Sequence, residues 1–354
     1  MASQHIVGLV VNPIAGIGGS VGLAGSDGAD IQAEARARGG APRAPARAER
    51  FVVELRRRVP GVRIESADVR SAEATAQLAA KLAALGARVL VFVGGDGTAR
   101  DVLRGLAGGH AEQLCVGVPG GVKMHSGVFA VTPEDAAAQV AEVLLSDEAG
   151  REVRSEFRDV ADLNEAARRR GELHTDVYGA MRVPLHARMQ RGKRSPMQGT
   201  SSVDGAGIAE VIRSQHEGVL VFGPGTTVAE IAHHAGVTEP TLLGFDVLMP
   251  GGETLLDVTG TVLEALAVEH QLGIVLSPIG GQGFVIGRGN HQLTERVLET
   301  LDPERLFIVS GSEKLGELAG TLRIDAPTVA LNARFRGYRR VLLGPVDSAL
   351  VRLE

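Results

Sequence analysis

The chain has 354 residues, a mass of 36.9 kDa and a formal net charge of -5 at pH 7. This length is enough for two domains with full cores. The acidic balance, with 3% aromatic residues and no tryptophan, argues against a nucleic-acid binder, which would show excess basic residues and exposed aromatic side chains. A single cysteine, Cys115, excludes an intrachain disulfide and a cysteine metal cage.

Two further features of composition bear on location and partners. The chain enters an apolar strand-like segment within a few residues, without a basic leader, and no run of about 18 apolar residues occurs. We therefore expect a cytoplasmic protein that binds neither membrane nor nucleic acid, and we also expect a homo-oligomer. Lysine is rare, and it occurs only at Lys81, Lys123, Lys193 and Lys314.

The first predicted element is a buried strand over residues 6–11, which leads into the small-residue loop NPIAGIGGS at residues 12–20. Loops at the carboxyl ends of strands are where ligands bind in open parallel sheets. The next segment, residues 29–48, is rich in Ala, Arg, Gly and Pro. This composition predicts a flexible excursion, with residues 39–45 as a candidate for disorder.

The following segments alternate between helix and strand. We predict a helix over 49–58, a strand over 62–66, an alanine-rich helix over 72–85 and a strand over 89–93. Such alternation is typical of a doubly wound parallel sheet.

The motif GGDGT, residues 94–98, follows the strand 89–93 and opens a helix-like segment over 99–106. Its glycines allow close approach of a ligand, and backbone N–H groups at a helix start attract phosphate. Asp96 stands where it could accept a proton from an attacking hydroxyl or hold Mg²⁺. The alternative is a purely structural turn, since glycine-rich turns are common in α/β proteins.

A third glycine loop follows a short apolar run in VGVPGGVKMHSG, residues 116–127, and carries the cation Lys123. His125 in the same loop could touch phosphate or be structural. Three such loops at successive strand ends predict one shared phosphate site. A helix over 133–145 should follow, with Thr132 as its N-cap.

The middle of the chain is less regular. Residues 153–160 and 173–184 alternate like strands, and the basic, polar segment 188–202 is predicted to be a mobile flap. A second α/β series then begins with a strand over 219–222, the loop GPGTT and a helix through His234. Further strands are predicted at 242–247, 273–276, 306–309 and, as an edge strand, 340–343.

Two groups in this second series are candidates for binding the acceptor. The turn after residue 222 offers backbone N–H groups and hydroxyls at a helix start, with a plain N-cap as the alternative. Gln282, Arg288 and Asn290 place two amides and a planar cation among glycines, a set suited to pyrophosphate or ribose. The alternative is hydrogen bonding that stabilises turns. Asp246 reads as a turn aspartate, and His233-His234 lacks the partners that zinc needs.

These loops resemble the superfamily of NAD kinases, diacylglycerol kinases, sphingosine kinases and, more distantly, phosphofructokinases. The strings at residues 11–28, 116–130, 220–227 and 278–290 are similar to the ATP-NAD kinase family of bacteria and archaea that includes the X protein of acetoin catabolism. The Asn-Glu pair that NAD kinases carry after the turn is absent. The second half also lacks their β-sandwich pattern.

The resemblance implies an α/β fold with an N-terminal doubly wound, NAD kinase/phosphofructokinase-like domain, a second α/β domain and an active site in the cleft between them. We expect a nucleotide-phosphate domain at 1–146, a strand-rich connector and flap at 147–215 and an acceptor domain at 216–354. The implied reaction is phosphorylation of NAD or NADH at the adenosine ribose 2′-hydroxyl by ATP with Mg²⁺. A lipid or small-polyol kinase of the diacylglycerol kinase type, or a non-catalytic nucleotide sensor linked to acetoin catabolism, are the alternatives.

The resemblance gives the role of Asp96, and the chemistry of the residues gives the other candidates. Asp96 is expected to act as the base and Lys123 to neutralise developing charge. The nucleotide phosphates are assigned to the three loops of the first domain, at Asn12, Gly16, Gly94, Gly95, Gly97, Thr98, Gly121, His125 and Ser126. The acceptor is assigned to the second domain, at Gly223, Gly225, Thr226, Thr227, Gln282, Arg288 and Asn290.

Overall fold

A computed structural model describes residues 5–23, 29–121, 124–163, 175–186, 203–318 and 320–354. Contacts within the chain group these residues into two compact units. Unit 1 comprises the described residues of Met1–Ile17, Gly25–Gln32 and Ala41–Lys193, and unit 2 comprises those of Gly18–Ala24, Ala33–Gly40 and Arg194–Glu354. The predicted three-part division stays a prediction.

Unit 1 is built on a four-stranded parallel sheet in the order β2-β1-β3-β4. Its strands are β1 (Ile6–Val11), β2 (Arg63–Asp68), β3 (Val89–Gly94) and β4 (Cys115–Pro119). The helices in this part of the chain are α1 (Ala29–Ala37), α2 (Ala44–Arg58), α3 (Ala72–Ala84), α4 (Asp96–Leu106) and α5 (Pro133–Glu148).

The helices cover both faces of this sheet. Leu9 and Val91 point into a core shared with α2 and α5, while Val10 and Phe92 point into the opposite core with α3 and α4. Near-continuous apolar runs are typical of strands buried on both faces, because alternate side chains must each find a core. The predicted doubly wound sheet is confirmed.

The strand order places a topological switch point between β1 and β3. The chain runs from β1 to β2 on one side, whereas β3 is followed by β4 on the other side. Loops leaving two adjacent strands in opposite directions open a crevice at the carboxyl edge, where ligands bind in open α/β sheets. The loops after β1 and β3 therefore flank the preferred ligand position.

The flexible excursion expected over residues 29–48 is wrong, because α1 and the start of α2 occupy it. Alanine and arginine are good helix formers, and Pro45 stands in the first turn of α2, where its fixed φ favours a helix. Ala44, Ala48 and Phe51 are buried against the sheet, so packing holds the helix in place.

The middle region contributes to both units. An antiparallel hairpin of β5 (Ser155–Leu163) and β6 (Thr175–Pro184), with a bulge at Val160/Ala161, belongs to unit 1. Helix α6 (Gly205–Gln215) belongs to unit 2. The expected flap at 188–202 and Lys123 in the third glycine loop lie outside the described residues.

Unit 2 contains a nine-stranded mixed sheet in the order β11-β13-β15-β14-β12-β10-β7-β8-β9. Its strands are β7 (Val219–Phe222), β8 (Asp246–Leu248), β9 (Thr254–Leu255), β10 (Leu272–Leu276), β11 (Phe284–Ile286), β12 (Leu306–Val309), β13 (Thr321–Ile324), β14 (Gly337–Leu342) and β15 (Ser348–Leu353). Its further helices are α7 (Thr226–Ala235), α8 (Gly260–Glu269), α9 (Glu295–Thr300), α10 (Ser312–Glu317) and α11 (Val329–Phe335). The second sheet, with helices between its strands, agrees with the predicted α/β class.

Two predicted strands of unit 2 differ from the structure. β14 lies between β12 and β15 rather than at an edge, because a tight turn returns the chain as β15 in antiparallel pairing. The predicted strand 242–247 begins only at Asp246, whose carboxylate organises the turn before it. Within the described ranges, no helix is both long and apolar enough to cross a bilayer.

Candidate functional site

The three glycine loops of unit 1 meet at the carboxyl edge of its sheet. The N–H groups of Gly120 and Gly121 donate to the Gly94 carbonyl at 2.8 and 3.1 Å. Gly16 has φ +83° and lies so close to the Gly120 carbonyl that a Cβ could not fit between them. The predicted convergence of the three loops is confirmed.

A side-chain hydrogen bond ties the first loop to the second. Asn12 donates through Nδ2 to Thr98 Oγ1 at 3.1 Å, and its Oδ1 accepts from the Ile14 N–H at 3.3 Å. Thr98 in turn packs against Gly94 so closely that a Cβ there would overlap its hydroxyl. Asn12 and Thr98 therefore hold the first two loops together, and both residues also border the site.

Asp96 is the first residue of α4, and it is only 4% exposed. Its Oδ2 accepts from the His125 N–H at 2.6 Å, and its Oδ1 accepts from Ser126 N–H at 3.0 Å and Ser126 Oγ at 2.6 Å. A carboxylate offers about four acceptor positions. The described donors fill three of them, which leaves one position on Oδ2.

The hairpin of unit 1 supports this arrangement from the other side. The Ser126 hydroxyl lies 2.9 Å from the Ala161 carbonyl and accepts from the Ala161 N–H at 3.0 Å. The neighbouring Asp162 adds negative charge near Asp96 and pairs with Arg100 at 3.5 Å. Sequence reasoning missed this contribution, since nothing local in the sequence of β5 indicates contact with the GGDGT turn.

Burial raises the pKa of Asp96 to about 7. The hydrogen bonds from Ser126 and His125 stabilise the ionised form and oppose that rise, whereas the charge of Asp162 adds to it. A carboxyl group that titrates near neutral pH is suited to accept a proton from a hydroxyl.

The start of α4 adds donors for an anion. Its N-cap, Gly95, makes no side-chain capping bond, so within the part of the chain that the structure describes the first-turn N–H groups can face a ligand or water. Gly97 is half-buried in that turn. The described members of the predicted phosphate set are thus brought together in unit 1, and their role in binding phosphate stays a prediction: Asn12, Gly16, Gly94, Gly95, Gly97, Thr98, Gly121, His125 and Ser126.

The side chains of the described residues offer few ligands for a metal ion. Among the described residues, no group of three or more His, Cys, Asp or Glu side chains is placed to hold a metal ion. Asp96 contributes a single carboxylate. This donor set fits Mg²⁺ carried mainly by nucleotide phosphates and water, which is how the ion usually binds in phosphoryl-transfer sites.

The GPGTT candidates of unit 2 lie at the carboxyl end of β7. Gly225 has φ +122° and begins α7 without a side-chain cap, and Thr226 is exposed. Thr227 is half-buried in the first turn of the same helix. Gly223 donates to the Val275 carbonyl at 3.0 Å. The turn is accessible, and its acceptor role stays a prediction.

The amide and guanidinium candidates are deeply buried. Asn290 accepts from the Gly287 N–H at 2.8 Å and donates to the Val285 carbonyl at 2.7 Å. Arg288 lies 3.5 Å from Asp325, with both side chains almost fully buried. Its guanidinium also stacks over Phe284 at 4.6 Å.

Gln282 is likewise buried, at 5% exposure. The contacts of Arg288 and Asn290 stabilise the turn around β11, which is the structural alternative, so the role of all three in binding an acceptor stays a prediction. Asp246 accepts from the Thr241 N–H at 2.6 Å and the Asp257 N–H at 3.0 Å, as expected of a turn aspartate.

Family models match both halves of the chain. The ATP-NAD kinase N-terminal domain matches residues 7–149, and the ATP-NAD kinase C-terminal domain matches residues 215–353. A search of curated proteins found no significant match.

Solved structures with partial similarity come from Bacillus anthracis str. Sterne. One is described as a diacylglycerol kinase and has 19% identity and a TM-score of 0.27, over 46% of this chain and 48% of that one. Two others, provisionally assigned the same activity, have 18% and 19% identity and TM-scores of 0.27 and 0.28, over 46% of this chain and 47% and 46% of theirs. The aligned part thus spans less than half the length of these structures.

The glycine loops and Asp96 lie within the first matched segment, and the α/β sheet of unit 2 lies within the second. The protein therefore belongs to the ATP-NAD kinase family.

Proposed function

We propose that the protein transfers the γ-phosphoryl group of ATP to the 2′-hydroxyl of the adenosine ribose of NAD or NADH. One observation carries this proposal. Asp96, a carboxyl whose pKa is about 7, lies where three glycine loops meet, and the described residues leave one acceptor position on its Oδ2 without a donor. That position suits the proton of an attacking hydroxyl.

The chemistry needs few protein groups. As the acceptor oxygen bonds to the γ-phosphorus, the bond from that phosphorus to the β–γ bridging oxygen breaks, ADP leaves and the hydroxyl proton passes to Asp96. Negative charge spreads over the transferring group, and backbone N–H donors at the start of α4 would stabilise it. Mg²⁺ bound with ATP would supply further positive charge, and Lys123 is proposed to do the same.

The contacts among the three loops support a kinase site more than a turn with only a structural role. A turn that only connects β3 to α4 would not need Asn12, Thr98 and Gly120 to be drawn to one point. The identity of the acceptor is inferred from membership of the family.

An acceptor panel tests the proposal. The purified protein is incubated with Mg-ATP and NAD, NADH, diacylglycerol, glycerol or no acceptor, and products are identified by mass spectrometry. We expect 2′-phosphorylated NAD or NADH with matching ADP. Product only with diacylglycerol or glycerol would reassign the acceptor, and calorimetric binding of ATP or NAD without ADP formation in any arm would indicate a nucleotide sensor.

Asp96→Asn tests the proposed base, with Asp135→Asn as a matched control. Asp135 is also a buried aspartate in the first turn of a unit 1 helix, and its Oδ2 accepts from Thr132 Oγ1 at 2.9 Å. We expect Asp96→Asn to lower turnover by about 10²-fold or more with nucleotide affinity retained. Asp135→Asn should change stability but leave turnover within a few-fold. Near-normal turnover of Asp96→Asn would remove Asp96 from the role.

A further inference from the structure

A second cationic position lies at the carboxyl edge of the unit 2 sheet. Lys314 on α10 reaches Ser277, which directly follows β10, with its Nζ 3.0 Å from Ser277 Oγ. Lys314 and Ser277 are both half-buried. Neither residue was singled out as a site from the sequence, although lysine is scarce in this chain.

Charge at this position is uncompensated in the described part of the chain. No described carboxylate lies within the 4.0 Å of an ion pair with Lys314, including Glu313 and Glu317 on its own helix. Partial burial lowers the pKa of Lys314 to about 8, and no charge among the described residues opposes that shift. An ammonium group in such surroundings is stabilised when an anion binds next to it.

The backbone around Lys314 and Ser277 belongs to the carboxyl edge of parallel strands, where ligands bind in α/β sheets. β12, β10 and β7 are adjacent and parallel, so the segments after them leave the sheet at the same side. Ser310 follows β12, Ser277 follows β10 and Gly223 follows β7 in contact with Leu276. A Cβ at Gly280, three residues beyond Ser277, would meet no described atom within 4 Å, so the backbone is open on that side.

We propose that Lys314 and Ser277 bind a phosphate group at this edge. The ammonium provides the charge, and the Ser277 hydroxyl, held 3.0 Å away, provides a second polar contact. The chemical class of ligand is a phosphate monoester, a nucleotide phosphate or inorganic phosphate. Binding of phosphate by this pair requires neither ionisation of Asp96 nor transfer of a phosphoryl group.

The scarcity of lysine makes a direct measurement possible. Reductive ¹³C-methylation labels the lysines of the folded full-length protein, and loss of one resonance in Lys314→Arg assigns Lys314. Titration with inorganic phosphate, and separately with ADP, should shift the Lys314 resonance saturably and raise its titration midpoint above the value near 8. Lys81, which is exposed on α3, serves as the internal control and should not respond.

Variants complete the test. Lys314→Met should weaken phosphate binding about 10-fold or more, and Ser277→Ala about threefold, whereas Lys81→Met should have no effect. Response to ADP but not to inorganic phosphate would identify a nucleotide as the source. An unchanged Lys314 resonance in both titrations, or equal affinity in Lys314→Met, would overturn the proposal. Because neither readout requires turnover, failure here leaves the acceptor panel unaffected.

Discussion

Asp96→Asn is expected to change how the stability of the protein depends on pH. The substitution replaces a titrating carboxyl with an amide of nearly the same shape. In the wild-type protein, burial raises the pKa of Asp96 to about 7 from an ordinary value of 3.8. Between these values the unfolded chain has lost its proton while the folded protein keeps it. Stability therefore falls as pH rises through this window, because the unfolded state binds fewer protons.

The size of the effect follows from the difference between the two values. Each pH unit inside the window changes the free energy of unfolding by about 1.4 kcal/mol, so the whole window corresponds to about 4 kcal/mol. Asp96 is 4% exposed, so solvent screening does not reduce this amount appreciably. Below pH 3.8 and above about pH 7 the contribution is constant.

Denaturant unfolding of both proteins at pH 5, 6, 7 and 8 measures this contribution. The lost hydrogen bonds will lower the stability of Asp96→Asn at every pH, so the informative quantity is the wild-type value minus the variant value. This difference should decrease by about 2 kcal/mol between pH 5 and pH 7 and level off near pH 8. A difference that stays constant across this range would mean that Asp96 ionises near its ordinary pKa, and the proposed base would lose its physical basis.

Four other predictions follow from the same structure. The kcat/KM of the wild-type protein should rise with pH to a plateau with a midpoint near 7, and a plateau reached already at pH 5 would contradict the role of Asp96. Ser126→Ala removes a hydrogen bond that lowers the pKa of that carboxyl, so the midpoint should move to higher pH, with a stability loss of about 1–3 kcal/mol. Gly16→Ala should destabilise the protein more than Gly61→Ala, since both have φ near +80° but only Gly16 faces a carbonyl; equal melting temperatures would refute this reasoning. Arg288→Ala should cost about 3–5 kcal/mol in denaturant unfolding, since it removes a buried cation from beside the buried Asp325 carboxylate, and a loss below about 1 kcal/mol would show that the pair is not structural.

The local sequence pattern was sufficient to predict the strands and helices that position the candidate site. The apolar run before GGDGT forms β3, and the helix expected after it forms α4 from Asp96 onward. Thr132 caps α5 through its hydroxyl, as its position before Pro133 predicts. These features depend on neighbours within a few residues, which the sequence displays directly.

Predictions from the local sequence pattern were wrong for segments whose conformation depends on distant contacts. Residues 29–48 look flexible by composition, yet burial of Phe51 and its neighbours makes α2 begin at Ala44. β14 looks like an edge strand until β15 pairs with it. In both cases the deciding contact comes from tertiary packing.

The sequence by itself determined the α/β class, the glycine loops and the aspartate at a helix start, because periodicity and turn chemistry are local properties. Tertiary structure decided that the Asp96 carboxylate is buried, that Ser126, itself bound by Ala161, donates to it, and that Lys314 reaches Ser277. Burial and hydrogen bonding between distant segments set the pKa of an ionisable group, and neither can be read from the residues beside it.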